Sequence, residues 1–158
     1  MENIDKTMNV FISHFNEDEE NIRKMKDLLS SKGYQIKNSS IDSTKPNRAT
    51  NEEYIRRLLR MRIQWAGKFI ALIGPETHTR PWVNWEIEQA YKKGKRIIGI
   101  YIQGAKDSDV PENLEKYGDS IVGWNSDKII NALNGNNDWE NVSGQSWQNR
   151  WKSIRSNC

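Results

Sequence analysis

Residues 79–102 read TRPWVNWEIEQAYKKGKRIIGIYI, a helix followed at once by a buried strand. Pro81 suits a first helical turn, where its missing N–H costs nothing, and Gly94 stops the helix after the last periodic residue. Val83, Ile87, Ala90 and Tyr91 fall at helical spacing and predict the stripe that packs on a sheet. Trp82 and Glu86 are four apart, so an indole and a carboxylate share one face beside that stripe. A carboxylate at the edge of a core is partly desolvated and titrates high, and an indole face attracts a flat cation. These are parts for cleaving a bond to a cationic leaving group. The plainer alternative makes Trp82 a gap-filler in the core and Glu86 a solvated helix residue near Lys92 and Lys93.

Outward from this stretch the same alternation repeats. Apolar runs of strand length predict strands at 8–13 (MNVFIS), 34–36, 68–74 (KFIALIG), 96–102 and 120–124 (SIVGW). The second is the weakest, because Gln35 and Lys37 alternate with Tyr34 and Ile36, and it is assigned toward an edge. Between the first two strands a helix is capped by Asn16, with Glu17, Asp18, Glu19 and Glu20 in its first turn and Ile22, Met25, Leu28 and Leu29 inward. Residues 38–48 (NSSIDSTKPNR) form a loop with Ile41 as its one core residue. A second helix runs from Thr50, in a capping box with Glu53, to Trp65. Tyr54, Ile55, Leu58, Leu59, Arg62 and Ile63 trace one side of it; Arg56, Arg57 and Arg60, on the other, are read as solvated. A short helix near 111–116 and a last one capped by Ser126, with Ile129, Ile130 and Leu133 inward, complete the series. Strand and helix alternating five times predict an α/β flavodoxin-like three-layer sandwich with a five-stranded parallel sheet.

With 158 residues the chain is long enough for one domain with a sizeable core. A net charge of +3 suggests mild attraction to phosphates and no dedicated nucleic-acid surface. The one cysteine, Cys158, is terminal, which excludes an internal disulfide and points to a reducing compartment. The first residues have neither a basic start nor a long apolar run, and no segment approaches the ~20 apolar residues of a membrane span, so a cytoplasmic protein away from membranes is expected.

In a parallel sheet ligands bind beyond the carboxyl ends of the strands, at the switch point of strand order. That rim receives Ser13, His14 and Phe15 after the first strand, Asp42 and Ser43 beyond the second, residues 74–77 with Thr77 after the third, and Trp82 with Glu86 on the next helix. The segment SHFNEDEE after the first strand lacks glycine, which disfavours a dinucleotide fold of the dehydrogenase kind and a P-loop. His14 and His78 are the only histidines, so no metal cluster is expected. Ser13 and His14 as a nucleophilic pair carry little weight, because adjacent strand residues point to opposite faces.

The opening MNVFISH, the helix start RPWVNWEIEQA and the following KRIIGIYI resemble bacterial TIR domains, in particular the TIR-like proteins of the Thoeris antiphage system, over residues 8–135. In enzymatic members of that family the glutamate four residues after the tryptophan is catalytic, and the resemblance implies that role for Glu86. It implies NAD as substrate rather than cofactor, release of nicotinamide, and a cyclic ADP-ribose-type signal that activates a separate effector, with homo-oligomers forming on activation. It further implies that Ser13, His14 and Phe15 border the nicotinamide ribose or phosphates and that a loop bearing Asp42, Ser43 and Lys45 covers the site; on its own chemistry, the Trp82 indole is expected to stack on the cationic ring. The family also contains non-catalytic assembly modules, and a plain NAD-depleting hydrolase is the other alternative. The tail, 136–158, lies outside the resemblance; its Trp147, Trp151 and Ile154 fall on one helical face, expected to pack on the domain or on a neighbouring subunit.

Overall fold

The computed structural model describes residues 6–14, 19–39 and 52–146. Five strands, β1 (Thr7–Ser13), β2 (Gln35–Asn38), β3 (Lys68–Ile73), β4 (Arg96–Tyr101) and β5 (Ser120–Val122), form one sheet in the order β2-β1-β3-β4-β5. Every pairing is parallel. The helices are α1 (Glu19–Ser30), α2 (Glu52–Trp65), α3 (Pro81–Lys92), α4 (Glu112–Tyr117) and α5 (Ser126–Leu133). This is the expected flavodoxin-like sandwich, with β2 at an edge. The assigned limits of the strands differ by one or two residues, most at β2, which begins a residue later and runs on to Asn38. Asn16, Ile41 and Thr50 lie outside the described residues.

Alternation along the strands divides the core in two. Phe11, Phe69, Ala71, Ile73, Ile97 and Tyr101 face α2, α3 and α4, together with Leu59, Ile63, Val83, Ile87 and Leu114. Val10, Ile12, Ile70, Leu72, Ile98 and Ile100 face α1 and α5. Phe11 and Phe69 stack across the β1–β3 pair with centroids 5.5 Å apart. Gly99 of β4 lets α4 sit close to the sheet: a Cβ there would stand 2.6 Å from Leu114 Cδ2 and 3.1 Å from Ile73 Cδ1.

Three expectations about helix faces are corrected. Tyr91 is half exposed rather than part of the inward stripe of α3, and it stacks on Tyr117 of α4 with centroids 4.1 Å apart. The buried arc of α3 is instead Val83, Glu86, Ile87, Gln89 and Ala90, rotated toward the polar residues. On α2 only Leu59 and Ile63 are fully buried, whereas Tyr54 is 49% exposed. The arginines read as solvated divide: Arg57 is exposed, but Arg56 lies over the Trp82 ring at 6.0 Å and Arg60 over Trp85 at 5.5 Å. Two cation–π contacts therefore join α2 to α3, each contributing about 0.5–1 kcal/mol. Packing decides here over composition, because the aliphatic stem of arginine covers an indole while its head group reaches water.

Beyond α5 the chain returns to the sheet. Trp139 is buried in the core on the α3 side, and Ile121 donates its N–H to Asp138 O at 2.7 Å and accepts from Glu140 N–H at 2.9 Å. Glu140 also pairs with Lys128 and accepts from the Gly123 amide at 3.1 Å, while its carbonyl receives the Tyr101 hydroxyl at 3.0 Å. Trp147, Trp151 and Ile154 lie outside the described residues.

Candidate active site

β1 is flanked by β2 on one side and by β3 on the other, so its carboxyl end is the point where strand order reverses. Ser13 ends β1 there, in register with Ala71 of β3, on the α3 side of the sheet. After β3 a tight turn delivers α3 to the same place. Thr77 is buried in that turn and its hydroxyl accepts the Gly74 N–H at 2.7 Å and donates to Gly74 O at 2.9 Å. Glu76 takes a left-handed conformation, φ 63°, and its N–H donates to Asp109 Oδ1 at 3.0 Å. Asp109 also accepts the Lys106 N–H at 2.8 Å, so one buried carboxylate ties the turn before α3 to the loop after β4.

The turn sets the start of α3, and one turn on from Trp82 the helix places Glu86 over the sheet. Glu86 is 4% exposed, and the Ser13 hydroxyl donates to its Oε1 at 2.6 Å. Burial pushes the Glu86 carboxyl up to about 8, and the Ser13 hydrogen bond, which favours the charged form, offsets part of that rise. The solvated reading of Glu86 is thereby excluded. A carboxyl poised near neutrality, held by a hydroxyl at a topological switch point, suits a group that must carry charge only when a cationic reactant arrives.

The other expected site residues are distributed unevenly. Trp82 is half buried against the core, edge to face with Trp85 at 5.4 Å, and carries Arg56 over its ring. His14 follows Ser13 on the rim, with Nδ1 2.8 Å from Ile12 O. Thr77 stands at the rim with its hydroxyl engaged by Gly74. Phe15, Asp42, Ser43 and Lys45 lie outside the described residues. The Ser13–Glu86 bond joins two candidates that sequence reasoning had named separately; the shared parity of Phe11 and Ser13 along β1 is the signal that would have paired them. The Arg56 contact with Trp82 was missed, since a basic helix face reads as solvated. Among the described residues no group of three or more His, Cys, Asp or Glu side chains could hold a metal ion, and no helix is long and apolar enough to cross a membrane.

Fold and site together define a parallel α/β domain built around a buried carboxyl at the strand-order switch. The family described as "Thoeris protein ThsB, TIR-like domain" matches residues 11–107, more than half of the chain, and the chain belongs to that family. A protein of Bacillus cereus (strain MSX-D12) described as "Putative cyclic ADP-D-ribose synthase ThsB1" is 36% identical over 58 residues. That match spans 37% of this chain and 30% of the relative's length. The solved structure of a CMP N-glycosidase from Clostridium botulinum, BcmB, has a similar fold, with a TM-score of 0.50, 20% identity, and coverage of 80% of this chain and 97% of that one.

Proposed function

We propose that this chain cleaves the bond between nicotinamide and ribose in NAD and converts the ADP-ribose portion into a cyclic nucleotide signal read by a separate effector protein. The observation that carries the reading is the buried Ser13–Glu86 pair on the rim of the sheet. Membership of the ThsB TIR-like family and the name of the Bacillus cereus relative support it.

The chemistry follows from the leaving group. Nicotinamide in NAD is a cationic ring attached to an anomeric carbon; as the C–N bond breaks, its electron pair goes to the ring nitrogen and the base leaves neutral. No acid is needed to protonate it. Positive charge develops on the ribose as an oxocarbenium ion, and the ionised Glu86 carboxylate stabilises it. Approach of the cationic substrate favours the ionised form of Glu86, so the free site holds the proton and the loaded site releases it. Trp82 offers an aromatic surface beside the ring, worth about 0.5–2 kcal/mol. His14 and Thr77 border the same rim. Phe15, Asp42, Ser43 and Lys45 are proposed as further substrate contacts. NAD is substrate, and no separate cofactor takes part. Self-association on activation is part of the same proposal.

The test is nicotinamide release from NAD, followed by chromatography, with purified protein and with lysate of phage-infected cells expressing it. Release from the infected lysate that vanishes with Glu86→Gln is the expected result. A lysate in which wild type and Glu86→Gln behave alike overturns the proposal.

A further inference from the structure

The outward face of α2 is apolar where a surface helix is ordinarily polar. Tyr54, Met61 and Trp65 are 49%, 62% and 50% exposed, and Leu58 between them is half buried. Their spacing of four, three and four places all four side chains within about 60° of one another around the axis, in a stripe roughly 16 Å long. Leu59 and Ile63, which anchor α2 to the sheet, lie on the opposite side. The exposed apolar residues thus form a second, continuous stripe and are not strays from the core.

The charges beside the stripe identify its occupant. α2 carries four arginines and two glutamates. Glu52 pairs with Arg56 and Glu53 with Arg60, and those two arginines cover Trp82 and Trp85 on the α3 side. Arg57 and Arg62 stand exposed, one on each flank of the stripe, and neither forms an ion pair among the described residues. We infer that this face docks an amphipathic helix of a partner protein whose apolar ridge is flanked by Asp or Glu. A second copy of the chain would set Arg57 and Arg62 against their own counterparts across a two-fold axis, a like-charge arrangement. Residues 147–158 of the same chain carry Arg150, Lys152 and Arg155 and no acid, so they match the face no better. Docking here presses on the helix that holds Trp82 and Trp85 through Arg56 and Arg60, one layer from Glu86.

The probe is a pair of synthetic helical peptides of roughly 16 residues with one leucine ridge, flanked by glutamate in one and by lysine in the other. Binding is followed by fluorescence anisotropy at low and at high salt. The acidic peptide is expected to bind wild type at least about tenfold more tightly than the basic one, and to weaken with salt. Arg57→Glu with Arg62→Glu should reverse that preference. Met61→Glu with Trp65→Glu should abolish binding while circular dichroism stays unchanged, since all four positions are exposed. Equal affinity for the two peptides, no saturable binding, or binding indifferent to these substitutions overturns the inference. So does a dimer in sedimentation that Met61→Glu dissociates, or preferential binding of this face to phosphatidylserine vesicles.

Discussion

Glu86 is a carboxyl in a position that side-chain chemistry argues against, and the consequences can be measured. Its folded-state pKa, about 8, lies above the ordinary value of 4.5, so between those two values the folded chain keeps a proton that the unfolded chain has lost. The contribution to stability is full below pH 4.5 and declines as pH rises, until it is gone above 8. Denaturant titrations from pH 5 to 8.5 should therefore show wild type losing stability, to a ceiling of about 5 kcal/mol, while Glu86→Gln stays nearly flat. In the proposed reaction the carboxylate is the working form, so kcat/KM for nicotinamide release should climb with pH toward 8. Ser13→Ala removes the hydrogen bond that holds the pKa down, and the rising limb should move to higher pH. A limb at the same pH in both proteins would mean that the pair does not govern catalysis. Sequence alone placed Glu86 beside the apolar stripe and stopped short of burying it. Residue type sends a glutamate outward and a tyrosine inward, whereas α3 turns Glu86 and Gln89 in and Tyr91 out. The reason is tertiary: Ser13 supplies the polar partner from a strand 73 residues away, and Tyr91 finds Tyr117 on α4.

Between elements, the two contacts that join α2 to α3 are open to a double-mutant cycle. Arg56→Ala and Trp82→Ala should couple by about 0.5–1 kcal/mol in unfolding free energy, and Arg60→Ala with Trp85→Ala similarly. Additivity within error would show that the rings and guanidinium groups merely lie near each other. Gly99 tests the close approach of α4: Gly99→Ala should lower stability by roughly 1–3 kcal/mol, because the new methyl meets Leu114 and Ile73. Calorimetry is the check, and no loss of melting temperature would mean that α4 yields. Strands were the easiest elements to read, since β3 and β4 are nearly unbroken apolar runs of the kind that a sheet covered on both faces demands. Helix faces were harder. The α2 sequence offers two apolar stripes to a single sheet, and only contact with the neighbouring helix decides which one faces in.

For the whole molecule, the outcome of the proposed reaction depends on water. A hydrolase admits it to the anomeric carbon, whereas a cyclase excludes it and presents another nucleophile from the same ADP-ribose. Mass spectrometry of the product separates the two, because the cyclic compound lacks the added water. The cyclic mass is the expected outcome, and linear ADP-ribose alone from the activated protein would leave a plain NAD-depleting hydrolase. The resemblance to the family could be read from residues 80–90, around Trp82 and Glu86, together with two strands. The arrangement of the rim could not, since it is made by residues far apart in the chain.

The strap of residues 138–140 along β5 bears on where this chain can be shortened. β5 has three residues, and both backbone groups of its middle one, Ile121, are taken by that strap. A fragment ended at residue 135, where the alternation of strands and helices stops, would keep every strand and helix named above yet lose Trp139 from the core. It would also present a bare sheet margin, a template for another copy to stack against. Such a fragment would be prone to build ribbons in the tube, and those ribbons would be a product of the scissors rather than of biology.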